Sequence, residues 1–179
     1  MEQTHFTSIE LCAGAGGQAL GLHWAGFRHN LLIEIDKSAC QTLTNNNQKH
    51  DLGWRNILNQ DLLDFSKAES IYCKDVDLVA GGVPCPPFSK AVKQLGKHDE
   101  RNLFPAALEI VKQANPKAVM LENVPGLLES RFDSYRREID NNLLSLGYLT
   151  TWKRLNSCDF GVPQLRPRVT IVALKQDFF

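Results

Sequence analysis

Short apolar runs alternate with amphipathic stretches along most of this chain, and that alternation narrows the folds open to it. Residues 5–11 read as a strand, glycines follow, and residues 18–25 read as a helix. The pattern repeats with a strand over 31–35, a helix over 38–46 and a short buried strand over 77–80 bounded by glycines. A helix over 103–114 places Leu103, Ala106, Ala107, Ile110 and Val111 on one face and stops at Asn115-Pro116. A strand over 118–121, a helix over 132–146 ended by Gly147, and strands over 148–155 and 169–174 complete the series. The last two strands have only a loop between them and are expected to pair antiparallel. Alternating strand and helix predicts an α/β fold, with a mostly parallel sheet, helices on both faces and an antiparallel strand near the C-terminus. Ligands of such sheets sit beyond the carboxyl ends of the strands, so the chemically unusual residues should follow strands.

Composition agrees with one packed domain over residues 1–179, at 43% hydrophobic and 22% charged residues with no repeat or linker. Twenty basic residues balance twenty acidic ones. The balance conceals an asymmetry, because residues 1–80 carry 6 basic and 10 acidic side chains and residues 81–179 carry 14 and 10. A polyanion would therefore meet the second half and a cation the first. No apolar run approaches a membrane span and the start MEQTH is polar, so a cytoplasmic protein with no membrane partner is expected. The five cysteines form no C-x-x-C pair, which argues for reduced thiols and against a zinc ribbon or disulfide scaffold.

Gly14-Ala15-Gly16-Gly17 follows the first strand and opens a helix, where a ligand can approach the backbone closely. Glu34 lies twenty residues past Gly14 at the end of the second strand, placed to accept from ribose hydroxyls. Asp61, after a third strand, could accept from an adenine amino group. A glycine loop and a ribose acid suit either NAD or S-adenosylmethionine, and this loop does not choose between them.

Gly81-Gly82-Val83-Pro84-Cys85-Pro86-Pro87-Phe88-Ser89 then forms a stiff loop after a buried strand. Proline fixes φ and restricts the residue before it, so the Cys85 thiol is held in one place, as a nucleophile requires. A small buried apolar residue is the other fate of a lone cysteine, but core strands avoid flanking prolines. Glu122-Asn123-Val124 ends the strand over 118–121 at the same edge, where desolvation would favour a proton-donating carboxyl; a helix cap or surface ion pair is the alternative. Gln164-Leu165-Arg166-Pro167-Arg168 opens the last strand, and arginines at alternate positions share one side of an extended segment.

In this order, Glu10-Leu11-Cys12-Ala13-Gly14-Ala15-Gly16-Gly17, Glu34-Ile35-Asp36, Asp61-Leu62, Gly82-Val83-Pro84-Cys85, Glu122-Asn123-Val124 and Gln164-x-Arg166-x-Arg168 resemble the DNA cytosine-5 methyltransferase family across the whole chain. The resemblance implies a Rossmann-like S-adenosyl-L-methionine-dependent methyltransferase sheet, with S-adenosyl-L-homocysteine as product and no metal. It implies cofactor contacts at Cys12, Gly14, Ala15, Gly16, Gly17, Glu34, Ile35, Asp61, Leu62, Pro84 and Leu103. Cys85 is implied as the nucleophile on C6 of a flipped cytosine, Glu122 as the partner of N3 and the exocyclic amine, Arg168 as the binder of O2, and Arg166 as support for the loop. Val83, Ser89, Asn123 and Arg101 are implied at the substrate. Lys90, Lys93, Lys97 and Arg101 lie in a stretch similar to the family's mobile DNA-closing loop.

The chain departs from the family pattern at Cys12 and Ile35, where aromatic residues are usual, at Pro86 in place of glutamine, and at Glu10 in place of aspartate. The implied partner is double-stranded DNA, in the nucleoid if the host is bacterial and within restriction-modification equipment if paired with a nuclease. Family members continue past the final strand into a target-recognition region and a returning segment. These are expected outside residues 1–179 or on a second subunit, leaving an apolar surface on the sheet. Other readings are an inactive cofactor- and DNA-binding remnant with a regulatory role, the tRNA-directed branch, whose Cys-Phe-Thr is absent at Glu129-Ser130-Arg131-Phe132, and a nicotinamide-dependent dehydrogenase.

Overall fold

The computed structural model describes residues 5–68, 71–84 and 102–178. In chain order it contains β1 (Phe6–Leu11), α1 (Gly17–Trp24), β2 (Phe27–Glu34), α2 (Lys37–His50), β3 (Ile57–Asn59), α3 (Leu62–Ser66), β4 (Leu78–Gly81), α4 (Phe104–Ala114), β5 (Ala118–Asn123), α5 (Asp133–Ser145), β6 (Tyr148–Asn156) and β7 (Pro167–Lys175). The strands form one sheet in the order β3-β2-β1-β4-β5-β7-β6. The pairs from β3 through β5 are parallel, and β7 runs antiparallel to both β5 and β6. The α/β class, the mixed sheet and the late antiparallel strand are as the sequence led one to expect.

Helix ends follow local chemistry. The Asp36 carboxylate accepts from the Ala39 N–H at 2.7 Å and starts α2, and Asp51 ends it in the left-handed region at φ 48°. Asn115 closes α4 in the same way at φ 44°, ahead of Pro116. α2 runs to His50, four residues past its expected end, and two further elements differ from the sequence expectation. β2 begins at Phe27, because buried His29 belongs to the strand: its ring bonds the Ser8 hydroxyl at 2.9 Å and the Ala19 carbonyl at 2.7 Å. Those long-range partners satisfy a polar side chain that local patterning places outside a core strand. The other is α3, a single turn started by Asp61 and too short to show a period.

The two faces of the sheet are covered differently. Ile9, Leu11, Ile33, Val79, Val119, Leu121 and Ile171 pack with Phe65, Ile110, Ile139 and Leu143 from α3, α4 and α5. On the other face, Leu32 packs with Ala19, Leu43 and Trp54, and Ala80 and Leu78 pack with Leu22. Among the described residues that cover stops short of β6 and β7, where Leu149 and Leu174 are 45% and 37% exposed.

β1 and β4 approach closely where Gly81 faces Leu11: a Cβ at Gly81 would lie 2.5 Å from the Leu11 carbonyl oxygen and 2.8 Å from its Cβ. Backbone cannot yield as a flexible side chain can. Gly81→Ala is expected to cost about 2–4 kcal/mol, read as a lowered denaturation midpoint with unchanged slope.

Candidate functional site

The strand order reverses between β1 and β4, and there the carboxyl ends of β1 to β4 open a cleft of about 420 Å³. Its wall carries Cys12 after β1, Ile33, Glu34 and Ile35 at the end of β2, Gln60 to Leu63 after β3, Gly82 and Pro84 after β4, and Leu103 ahead of α4. Six sequence-expected cofactor residues besides Cys12 therefore meet in one place: Glu34, Ile35, Asp61, Leu62, Pro84 and Leu103. Ile33, Gln60, Leu63 and Gly82 line the same wall without having been singled out; each adjoins a residue that was, so the signal was strand-end position rather than residue type.

Glu34 has a structural task as well. One carboxylate oxygen accepts from the Gly14 N–H at 2.7 Å and the other from the Asp36 N–H at 2.8 Å, tying the glycine loop to the end of β2. Each oxygen keeps lone-pair capacity for a hydroxyl from the cleft. Asp61 is divided similarly: one oxygen caps α3 through the Leu63 N–H at 2.7 Å. Ile35 is 65% exposed at the rim, whereas Leu62 is buried in the floor.

Ala15, Gly16 and Gly17 line a separate cleft between α1 and α2, together with Trp24, His50 and Trp54. Gly16 has a packing reason to be glycine, since its φ is +92° and a Cβ would lie 2.6 Å from Leu43 Cδ2. The loop thus divides its labour: Gly14 ties to Glu34, while Gly16 seats α1 against α2.

The electrostatics of the first cleft are one-signed. Among the described residues no basic side chain lines it, while Glu34 and Asp61 do. Burial, then Glu34, Asp61 and Glu10, push the Cys12 thiol up to about 12, so it stays neutral. Cys12 itself sits in the left-handed region at φ 52°, a conformation that disfavours residues with a Cβ. Glu10, on β1 just below, is 1% exposed, and its Oε2 has no hydrogen-bond partner among the described residues. Burial pushes its carboxyl up to about 8.

A second group of side chains gathers beside the cleft at the ends of β4, β5 and β7. Glu122 Oε1 meets Arg168 Nε at 2.6 Å, across paired strands β5 and β7. The Glu122 side chain is a third exposed, so the expected desolvated carboxyl is instead an ion-paired one open to the edge. Gly82 leaves room for it, since a Cβ there would stand 3.2 Å from Glu122 Oε2. Asn123 is buried and donates from Nδ2 to the Val83 carbonyl at 2.9 Å, joining β5 to the backbone that leads into Pro84. Arg166 precedes β7 and is exposed, so the two arginines do not share a strand face; its carbonyl accepts from the Ser157 N–H at 3.3 Å and closes the β6–β7 connection. Cys85, Ser89 and Arg101 lie outside the described residues, as do Pro86, Lys90, Lys93 and Lys97.

An acidic, apolar-walled cleft next to a carboxylate–guanidinium pair can hold a cationic nucleoside and present a planar base to a fixed donor and acceptor. Comparison with known proteins agrees. The chain is 56% identical over 173 residues to the type II methyltransferase M.NgoMIV of Neisseria gonorrhoeae, covering 97% of this chain and 53% of that protein. It is 49% identical over 170 residues to the type II methyltransferase M.NaeI of Lentzea aerocolonigenes, covering 95% of this chain and 40% of that one. The chain thus spans about half the length of these relatives or less. Among solved structures, the S. pombe Dnmt2 methyltransferase superposes with a TM-score of 0.70 at 24% identity, covering 95% of this chain and 51% of that one, a likeness of fold. The sequence model of the C-5 cytosine-specific DNA methylases matches residues 6–179, and the chain belongs to that family.

Proposed function

We propose that this chain carries the catalytic chemistry of a DNA cytosine-5 methyltransferase, moving a methyl group from S-adenosyl-L-methionine to C5 of a cytosine flipped out of the duplex. The observation that carries the reading is the pairing of an acidic cleft at the sheet's switch point with the Glu122–Arg168 pair beside it. A cleft free of basic residues among those described suits a cationic cofactor and offers no side-chain counter-charge to a pyrophosphate, which favours S-adenosylmethionine over NAD. The residues present fit the cofactor. Glu34 retains acceptor capacity for ribose hydroxyls, Asp61 retains one oxygen for an amino group, and Ile33, Ile35, Leu62 and Leu103 supply apolar wall for an adenine. The bound cofactor supplies an electrophilic methyl group.

The chain's own residues do the rest. The target carbon is unreachable inside a duplex, so the base must be extruded to meet the site. Cytosine C5 is a weak nucleophile, and attack of the Cys85 thiolate on C6 delivers electron density to it. Glu122 accepts from the exocyclic amine with one oxygen and, carrying a proton on the other, donates to N3, which favours protonation of the ring as charge builds on it. Arg168 serves O2 and also keeps Glu122 oriented. The Val83 carbonyl has a lone pair left beyond its bond to Asn123 and can take the exocyclic amine. After methylation a proton leaves C5 and the thiolate is expelled, restoring the aromatic base. No metal enters this scheme.

Calorimetric titration tests the cofactor assignment. Binding of S-adenosylmethionine with no binding of NAD is expected, and the reverse result overturns the proposal. Glu34→Ala is expected to weaken S-adenosylmethionine binding roughly 100-fold, since it removes charge-assisted acceptors and frees the glycine loop at once. A thermal melt of the same variant separates loss of contact from loss of fold.

A further inference from the structure

Pro84 and Asn102 are the described residues that bracket positions 85–101, and their surroundings are tightly bonded. The Leu103 N–H donates to the Pro84 carbonyl at 3.2 Å, so the chain on either side of the bracket is held together. Asn102 is 7% exposed, and its Oδ1 accepts twice, from the Phe104 N–H at 3.3 Å and from the Tyr135 hydroxyl at 2.8 Å. Tyr135 belongs to α5, which makes no part of the cofactor cleft. Its ring already packs edge-on against Phe104, with centroids 6.0 Å apart and planes at 84°. The hydroxyl adds a directed bond to Asn102, whose Oδ1 also accepts from the Phe104 N–H at the start of α4.

We infer that Tyr135 is a positioning residue for methyl transfer: through Asn102 it holds Leu103 against Pro84, and so fixes the backbone that immediately precedes Cys85. This rests on the proposed function, because it gives the geometry a nucleophile to aim. Pro84 is held from two sides, by Leu103 through its own carbonyl and by Asn123 through that of Val83. Loosening one side frees Pro84, the described residue just before Cys85, and a displacement of ~1 Å at a reacting group can cost on the order of 100-fold in rate.

The test uses Tyr135→Phe in the full chain, which keeps the ring and removes the oxygen. A duplex containing 5-fluorocytosine is the probe: once methylated, C5 bears fluorine in place of the departing proton, so the Cys85 thiolate is not expelled and the covalent adduct accumulates. Tyr135→Phe is expected to slow adduct formation about tenfold, to leave S-adenosylmethionine affinity within about twofold, and to speed hydrogen exchange of the Leu103 amide about tenfold. An unchanged adduct rate overturns the inference. So does a slower adduct accompanied by an equal loss of cofactor affinity, which places the effect in the cleft that Leu103 and Pro84 line rather than at the nucleophile. If the unaltered chain forms no adduct while binding cofactor and DNA, the proposed function falls, and the inference with it. If the unaltered chain reacts and Tyr135→Phe matches it, the inference alone falls.

Discussion

Replacing Cys85 by serine is expected to abolish methyl transfer, by at least about 10⁴-fold, while S-adenosylmethionine binding stays within about twofold of the unaltered chain. The two effects separate because the described wall of the cleft is complete without the thiol. The cleft is built from the ends of β1 to β3 with Pro84 and Leu103, and Glu34 and Asp61 reach it without help from the thiol. In the proposed mechanism the nucleophile is needed only to activate C5. A serine hydroxyl is almost wholly protonated at neutral pH and adds to C6 far more slowly than a thiolate. The measurement is transfer of a labelled methyl group to duplex DNA, with cofactor binding followed by calorimetry on the same preparation. Transfer retained by Cys85→Ser removes the covalent mechanism. Loss of cofactor binding in that variant shows instead that the thiol's role lies in the cleft.

Glu10→Gln is expected to raise stability at alkaline pH by a few kcal/mol and to flatten its pH dependence. Burial holds the Glu10 carboxyl at about 8 against an ordinary 4.5, so the folded chain keeps a proton that the unfolded chain has released. Between those values the unfolded state binds fewer protons than the native state, and stability therefore falls as pH rises, by about 1.4 kcal/mol per unit. This group's contribution is fully present below about pH 4.5 and is lost by about pH 8. Glutamine has the same shape and nothing to ionise. Chemical denaturation of both chains from pH 5 to pH 9 is the check: the curves should lie close together at pH 5 and separate progressively toward pH 8. Parallel curves would mean that Oε2 is satisfied by water and the site is not desolvated.

The chemistry-bearing motifs were legible because each follows a strand, and a parallel α/β sheet delivers strand ends to one edge whatever the intervening helices do. Glu34, Pro84 and Glu122 were placed at that edge from the apolar runs before them and Asp61 from an expected third strand, and all four stand there. The glycine loop was legible as a turn but not in its division of labour. Nothing local distinguishes Gly14, whose N–H meets Glu34, from Gly16, whose missing Cβ makes room for Leu43 from a helix more than twenty residues away. β2 was read as starting four residues too late, because a histidine in a core strand is allowed only by Ser8 and Ala19, which are remote in sequence. The pair of arginines was read as one face, whereas β7 begins at Pro167 and leaves Arg166 in the connection.

The sequence by itself determined the class of fold, the order of the elements and the set of reactive residue types, since periodicity and strand-end position are properties of neighbours along the chain. Tertiary structure alone decided which of those residues meet. It set β7 between β5 and β6, and so brought Arg168 to Glu122 at 2.6 Å although 46 positions separate them. It left Glu10 Oε2 without a partner among the described residues, gathered the acidic side chains Glu34, Asp61 and Glu10 around Cys12, and joined Tyr135 to Asn102. Such contacts arise from strand order and helix packing, which bring together groups that no local pattern relates.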